Sequence, residues 1–211
     1  MSDSIRNDLG DLNNGWGICG FTSTFYAMSS LQHGTRGALI NASRPFNVLA
    51  EIKTFLRILQ AGGKQKALSD ITAFTRSFGK PYDKFTIENY ISRIDNAARE
   101  NLSDDEIKKN QLFGVAVPPD QVVAYVENIW GLKCSISKGE NQENGIIGVK
   151  SKGISNLWKP YNGLVHYMYR HNQKIYSWGE VYNSIKDARK SFELVLTIRI
   201  DGAGKTNPNF R

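Results

Sequence analysis

The hydrophobic period of this chain changes once, and that change limits the folds open to it. Up to about residue 130 the apolar residues recur at three- and four-residue spacing, the period of helices with one buried side. Phe21, Phe25, Met28 and Leu31 make the first such run, over about 19–31, and His33-Gly34 is a natural stop for it. A second helix starts at Ser43-Arg44-Pro45, with proline in its first turn, and buries Phe46, Leu49, Ile52, Leu56 and Leu59 before Gly62-Gly63 breaks it. Helical patterns over 65–78 and 85–99 follow, and Ser103-Asp104-Asp105-Glu106 has capping-box spacing ahead of a short helix. Residues 113–117 read as a short strand, and Pro118-Pro119-Asp120 opens a helix carrying Val122, Val123, Val126 and Ile129. Beyond residue 131 the segments shorten and alternate. Residues 133–137, 145–150, 164–170, 174–179 and 192–200 read as strands. Helices first and antiparallel strands after them define an α+β fold.

The first helix begins in an unusual way. Asn13-Asn14-Gly15-Trp16-Gly17-Ile18-Cys19-Gly20 brackets a single cysteine with glycines and puts its thiol at the helix start. A thiol there faces unpaired backbone N–H groups and the positive end of the helix dipole, both of which favour thiolate. Gly17 can take the dihedrals of a sharp entry, and neither Gly17 nor Gly20 blocks an approaching carbonyl. Set against this, a free cysteine is one of the most commonly buried residues, and a packed structural thiol is the plain alternative. The residue that turns the balance lies far downstream. His166 sits in the strand Gly163-Leu164-Val165-His166-Tyr167-Met168-Tyr169-Arg170, followed by a polar turn and Ile175-Tyr176-Ser177-Trp178-Gly179. A cysteine nucleophile needs an imidazole that accepts its proton and later delivers it to the leaving group.

With Asn-x5-Cys-Gly at the front and Leu-Val-His…Tyr-Ser-Trp-Gly at the back, the chain resembles the papain-like cysteine protease superfamily. The resemblance spans most of the chain and implies one papain-like domain over 1–211, its site in the seam between helices and sheet. It implies Cys19 as nucleophile and His166 as general acid/base. The family usually adds a glutamine about six residues before the cysteine as an oxyanion donor. Asn13 occupies that position, although Asn-Asn-Gly equally suits a turn. Papain carries Asn-Ser-Trp-Gly in its third-residue segment, and relatives that cut after double glycine carry Asp followed by Pro. Tyr176-Ser177-Trp178-Gly179-Glu180 keeps Ser-Trp-Gly but puts tyrosine where asparagine belongs. That leaves Glu180, favoured because a carboxylate holds imidazolium better than a hydroxyl does, or Ser177 on the same face as the histidine. Trp178 would shield the imidazole from water.

Composition narrows the class further. At 211 residues, 40% hydrophobic and 22% charged, the chain is long enough for a sizeable core and is that of a folded protein. No apolar run reaches membrane-spanning length, and the polar start Met1-Ser2-Asp3-Ser4 reads as no signal peptide. Residues 1–12 and 202–211 read as flexible ends. Cys19 and Cys134 make no disulfide framework, and His33, His166 and His171 are too scattered for a metal site; no metal or cofactor is expected. The net charge of +7 favours acidic partners, but the cations are spread along the chain rather than gathered into a nucleic-acid stripe. The resemblance therefore implies an endopeptidase of the bacterial toxin or effector kind, cytoplasmic or injected into a target cell, for instance by type VI secretion. Its partners would be a protein substrate and an acidic immunity protein, with neither nucleic acid nor membrane. A deamidase or acyltransferase, a cell-wall amidase and a catalytically dead binding module stay open beside it.

Overall fold

The computed structural model describes residues 16–31, 44–138, 144–152 and 160–201. Among them stand seven α-helices and one six-stranded sheet, the helices mostly before residue 131 and the strands all after it. Helix α1 (Cys19–Ser30) is the axis of the molecule. Cys19 through Met28 are all buried, so it has no solvent face. Its buried hydroxyls turn back on their own backbone, Thr22 donating to the Cys19 carbonyl at 3.3 Å and Thr24 to the Gly20 carbonyl at 2.9 Å. It packs on the sheet and on α6 (Pro119–Tyr125) and touches α2 (Pro45–Ala61) through Phe21 and Phe55, while α3 (Gln65–Arg76), α4 (Ile87–Arg99) and α5 (Asp104–Lys109) pack against α2. Pro45 opens α2 and the Ser103–Glu106 capping box opens α5, both at the expected positions. Helix α4 starts at Ile87, two residues later than expected, because the Thr86 hydroxyl caps it by accepting the Asn89 N–H at 3.1 Å. One wider turn, Val126–Trp130, carries α6 on to Gly131, whose φ of +69° ends the helical half.

The strands are β1 (Lys133–Lys138), β2 (Gly145–Ser151), β3 (Leu164–His171), β4 (Lys174–Ser177), β5 (Glu180–Tyr182) and β6 (Phe192–Asp201). They pair antiparallel in the order β1-β6-β2-β3-β4-β5. One face packs on the helices, where Phe21, Phe55 and Tyr125 meet edge to face at ring separations of 4.9–6.1 Å. The other face carries a smaller cluster, Ile147, Val149, Met168, Ile175 and Phe192, flanked by the short helix α7 (Ile185–Ala188).

Three further local expectations change. Residues 113–117 are not a strand: Gln111–Phe113 is a helical turn, and among the described residues the stretch after it joins no sheet. Thr75 satisfies that backbone instead, its hydroxyl donating to the Ala116 carbonyl at 2.9 Å and accepting the Ala116 N–H at 3.1 Å. The strand expected over 174–179 stops at Ser177, because Trp178 and Gly179 both take positive φ, +48° and +80°, and turn the chain into β5. Helix α3 ends at Arg76 rather than near residue 78. The expected flexible ends, His33 and Asn13 lie outside the described residues.

Candidate active site

Cys19 is the first residue of α1, and Gly17, with φ +61°, makes the sharp entry before it. The Ile18 carbonyl accepts the N–H groups of Phe21 and Thr22 at 2.9 and 3.1 Å. The N–H groups of Cys19 and Gly20 face the thiol, and so does that of Tyr167 on β3. Gly20 has a different task from the one its sequence suggests. A Cβ there would sit 2.6 Å from Val117 Cγ2 and 3.1 Å from Val122 Cγ2, so the glycine lets α1 close against the 115–117 segment and α6.

His166 lies near the start of β3, opposite Val149. One residue of β3 is skipped between the pairs Val149–His166 and Lys150–Leu164, a bulge at Val165 beside the histidine. The ring is 7% exposed and lies flat on Trp178, centroids 4.2 Å apart and planes 4° from parallel, with Phe192 6.1 Å away. Trp178 is held by its turn, which α1 anchors: the Gly179 N–H donates to the Tyr26 hydroxyl at 3.1 Å. A bulky residue at φ +48° is uncommon and persists only where its surroundings fix it.

His166 Nε2 and Ser177 Oγ are 2.8 Å apart. Ser177 is 2% exposed, whereas Glu180, its cross-strand neighbour on β5, is exposed to solvent. The hydrogen bond on Nε2 is thus with Ser177, the alternative third residue, while Glu180, the favoured one, stands at the solvent edge. The physical reason is the turn at 178–179: with β4 ending at Ser177, the chain reverses before a side chain at 180 comes alongside the histidine. A serine hydroxyl also differs from a carboxylate in being donor and acceptor. Only the tautomer with hydrogen on Nε2 leaves Nδ1 able to take a proton from a thiol.

Cys19 and His166 line one cavity of about 250 Å³. Trp16 and Gly17 flank the thiol, Leu164, Val165 and Trp178 flank the ring, and Phe74, Phe78, Tyr82 and residues 115–117 close the far side. The walls are chiefly apolar. Burial pushes the Cys19 thiol up to about 11, the three N–H groups offsetting only part of that, and burial with the nearby Arg189 cation brings His166 down to about 3. The two side chains share the cavity but are not hydrogen-bonded to each other, and at neutral pH both rest uncharged. Each shift has the same main cause, the loss of water around a single charge. A thiolate and an imidazolium formed side by side would stabilise one another, which neither achieves alone.

No family model, curated protein or solved structure matches the chain. Among the described residues no group of three or more His, Cys, Asp or Glu is placed to hold a metal ion, and no helix is long and apolar enough to cross a membrane.

Proposed function

We propose that the protein is a papain-like thiol hydrolase acting on a protein chain. The observation that carries this reading is the shared cavity: the Cys19 thiol at the start of α1, ringed by backbone N–H groups, and the His166 imidazole tethered by Ser177 and covered by Trp178. In the reaction His166 Nδ1 takes the thiol proton and Cys19 sulfur bonds to a substrate carbonyl carbon. The Cys19 N–H at the helix start is the donor this reading assigns to the developing oxyanion. Collapse of the tetrahedral intermediate breaks the C–N bond, and His166 returns its proton to the departing amine. Water, deprotonated by His166, then cleaves the thioester and restores the thiol. An apolar cavity suits a peptide chain bearing apolar side chains better than the polar side chain a glutamine deamidase would seat. The resemblance extends the reading to a bacterial toxin or effector that cuts a cytosolic protein of its target cell and is capped by an acidic immunity protein.

A second reading, a catalytically silent binding module on the same fold, draws support from the missing Cys19–His166 hydrogen bond and the uncharged resting pair. One experiment separates the readings. Wild type and Cys19→Ala are each incubated with a cell lysate, and new protein termini are mapped by mass spectrometry. New termini with wild type alone are the expected result. One-dalton shifts on glutamine with no new termini would make the protein a deamidase, and neither change would leave the binding module.

A further inference from the structure

The sheet face turned away from α1 carries a second, larger concavity of about 800 Å³ between α7 and strands β2, β3, β4 and β6. Its chemistry differs from that of the cysteine cavity. The half-buried apolar side chains of Ile185 and Leu194 line it above a buried floor of Ile175 and Phe192, and so do four cations, Lys150, Lys152, Arg170 and Lys186. One carboxylate, Glu193, stands among them, 3.5 Å from Lys150 and 3.8 Å from Lys152. Among the described lining residues cations outnumber carboxylates even with Lys150 and Lys152 beside Glu193, which makes this face positive, and Ile185 and Leu194 offer hydrophobic burial that a plain anion would not use.

We propose that this groove docks an acidic protein segment that carries apolar side chains, its carboxylates on the lysines and its apolar groups against Ile185 and Leu194. Nucleic acid fits the same surface poorly. Single strands gain much of their binding from bases stacked on exposed rings. Among the described residues Phe192 is the one aromatic ring lining the groove; it is 3% exposed, and the Arg189 guanidinium lies over it at 5.3 Å. Glu193 also meets an incoming phosphate with like charge, whereas a mixed acidic and apolar segment can place an apolar group beside it. The groove adjoins the proposed active site through Phe192, whose ring is 6.1 Å from His166 and 6.0 Å from Trp178. An occupant would thus sit one side chain away from the histidine. The proposal rests on the shape and charge of this face and stands whether or not Cys19 is a nucleophile.

The test is fluorescence anisotropy of a labelled glutamate–leucine peptide against the intact protein, beside a glutamine–leucine peptide and an oligodeoxythymidylate of equal charge. A Lys152→Glu/Lys186→Glu variant changes two exposed lysines of the groove, and a thermal melt checks its fold. The acidic peptide should bind and the glutamine peptide should not. Affinity should fall about tenfold or more in the variant, and fall steeply as salt is raised. No binding of the acidic peptide, binding that the variant leaves intact, or displacement of the peptide by the oligonucleotide would each overturn the proposal. None of these readouts involves turnover, so failure here is distinct from failure of the thiol-hydrolase reading.

Discussion

Cys19 and Cys134 carry the same thiol in two regions of opposite character. Cys19 opens α1 on a cavity wall, with three backbone N–H groups turned toward it. Cys134 lies on β1, an edge strand, where its own N–H donates to Glu127 at 3.3 Å and its thiol feels the carboxylates of Glu127 and Asp201. Burial raises both, to about 11 and about 12, yet for different sulfurs in practice. At Cys19 the polar surroundings oppose the rise, and at Cys134 they add to it. The histidines divide the same way along one strand. His166 sits buried beneath Trp178, while His171 ends β3 at the hairpin, half-exposed and 3.4 Å from the Tyr169 hydroxyl. A high resting value is therefore common to both thiols, and what differs is the sign of the polar groups around them, N–H donors at Cys19 and carboxylates at Cys134.

The largest expected break in this comparison is in acid stability. The folded state disfavours the His166 imidazolium, with a value near 3, whereas the unfolded chain takes up that proton near the ordinary 6.5. Its contribution is complete above about pH 6.5 and is lost as pH falls toward 3, by roughly 1.4 kcal/mol per pH unit. Urea unfolding from pH 7 down to pH 4 should show this slope in wild type and in His171→Gln, and should show it diminished in His166→Gln. Equal slopes in all three proteins would mean that the His166 ring is not held dry.

A smaller effect sharpens the role of the tether. Ser177→Ala removes the partner of His166 Nε2 and should lower turnover by about tenfold, the scale set by one lost hydrogen bond. Glu180→Gln should leave turnover within about a factor of two, since that side chain is solvated on β5. Steady-state rates on a substrate found by terminus mapping decide the matter. The reverse ranking would restore the carboxylate as orienter.

Much of this was legible in the chain itself. The change of period near Gly131 separates helices from strands, and the glycines about Cys19 mark the helix entry, because both signals are local. The Ser177 tether was less so. It depends on a turn in which Trp178, a bulky residue, adopts positive φ, and that conformation is fixed by Tyr26 more than 150 positions earlier. Only the pairing of strands ending at Ser177 brings the hydroxyl to the ring. The stretch at 113–117 misleads for a related reason: Val115 and Val117 alternate like a strand, but their neighbours are α3 and the cavity, and Thr75 replaces a sheet partner. Gly20 is legible as a special position but not for its cause, since Val117 and Val122 approach from distant sequence.

The central claim is that Cys19 and His166 act as a pair across their shared cavity, and alkylation kinetics test it without knowledge of the substrate. The rate of iodoacetamide modification at each cysteine is followed by mass spectrometry from about pH 5 to pH 9 in wild type and His166→Ala, on either side of the ordinary imidazole value. Pairing predicts that Cys19 reacts faster than Cys134 near neutral pH despite its burial, and that His166→Ala removes the excess. Labelling of Cys19 no faster than Cys134, or fast labelling that survives loss of His166, would contradict it.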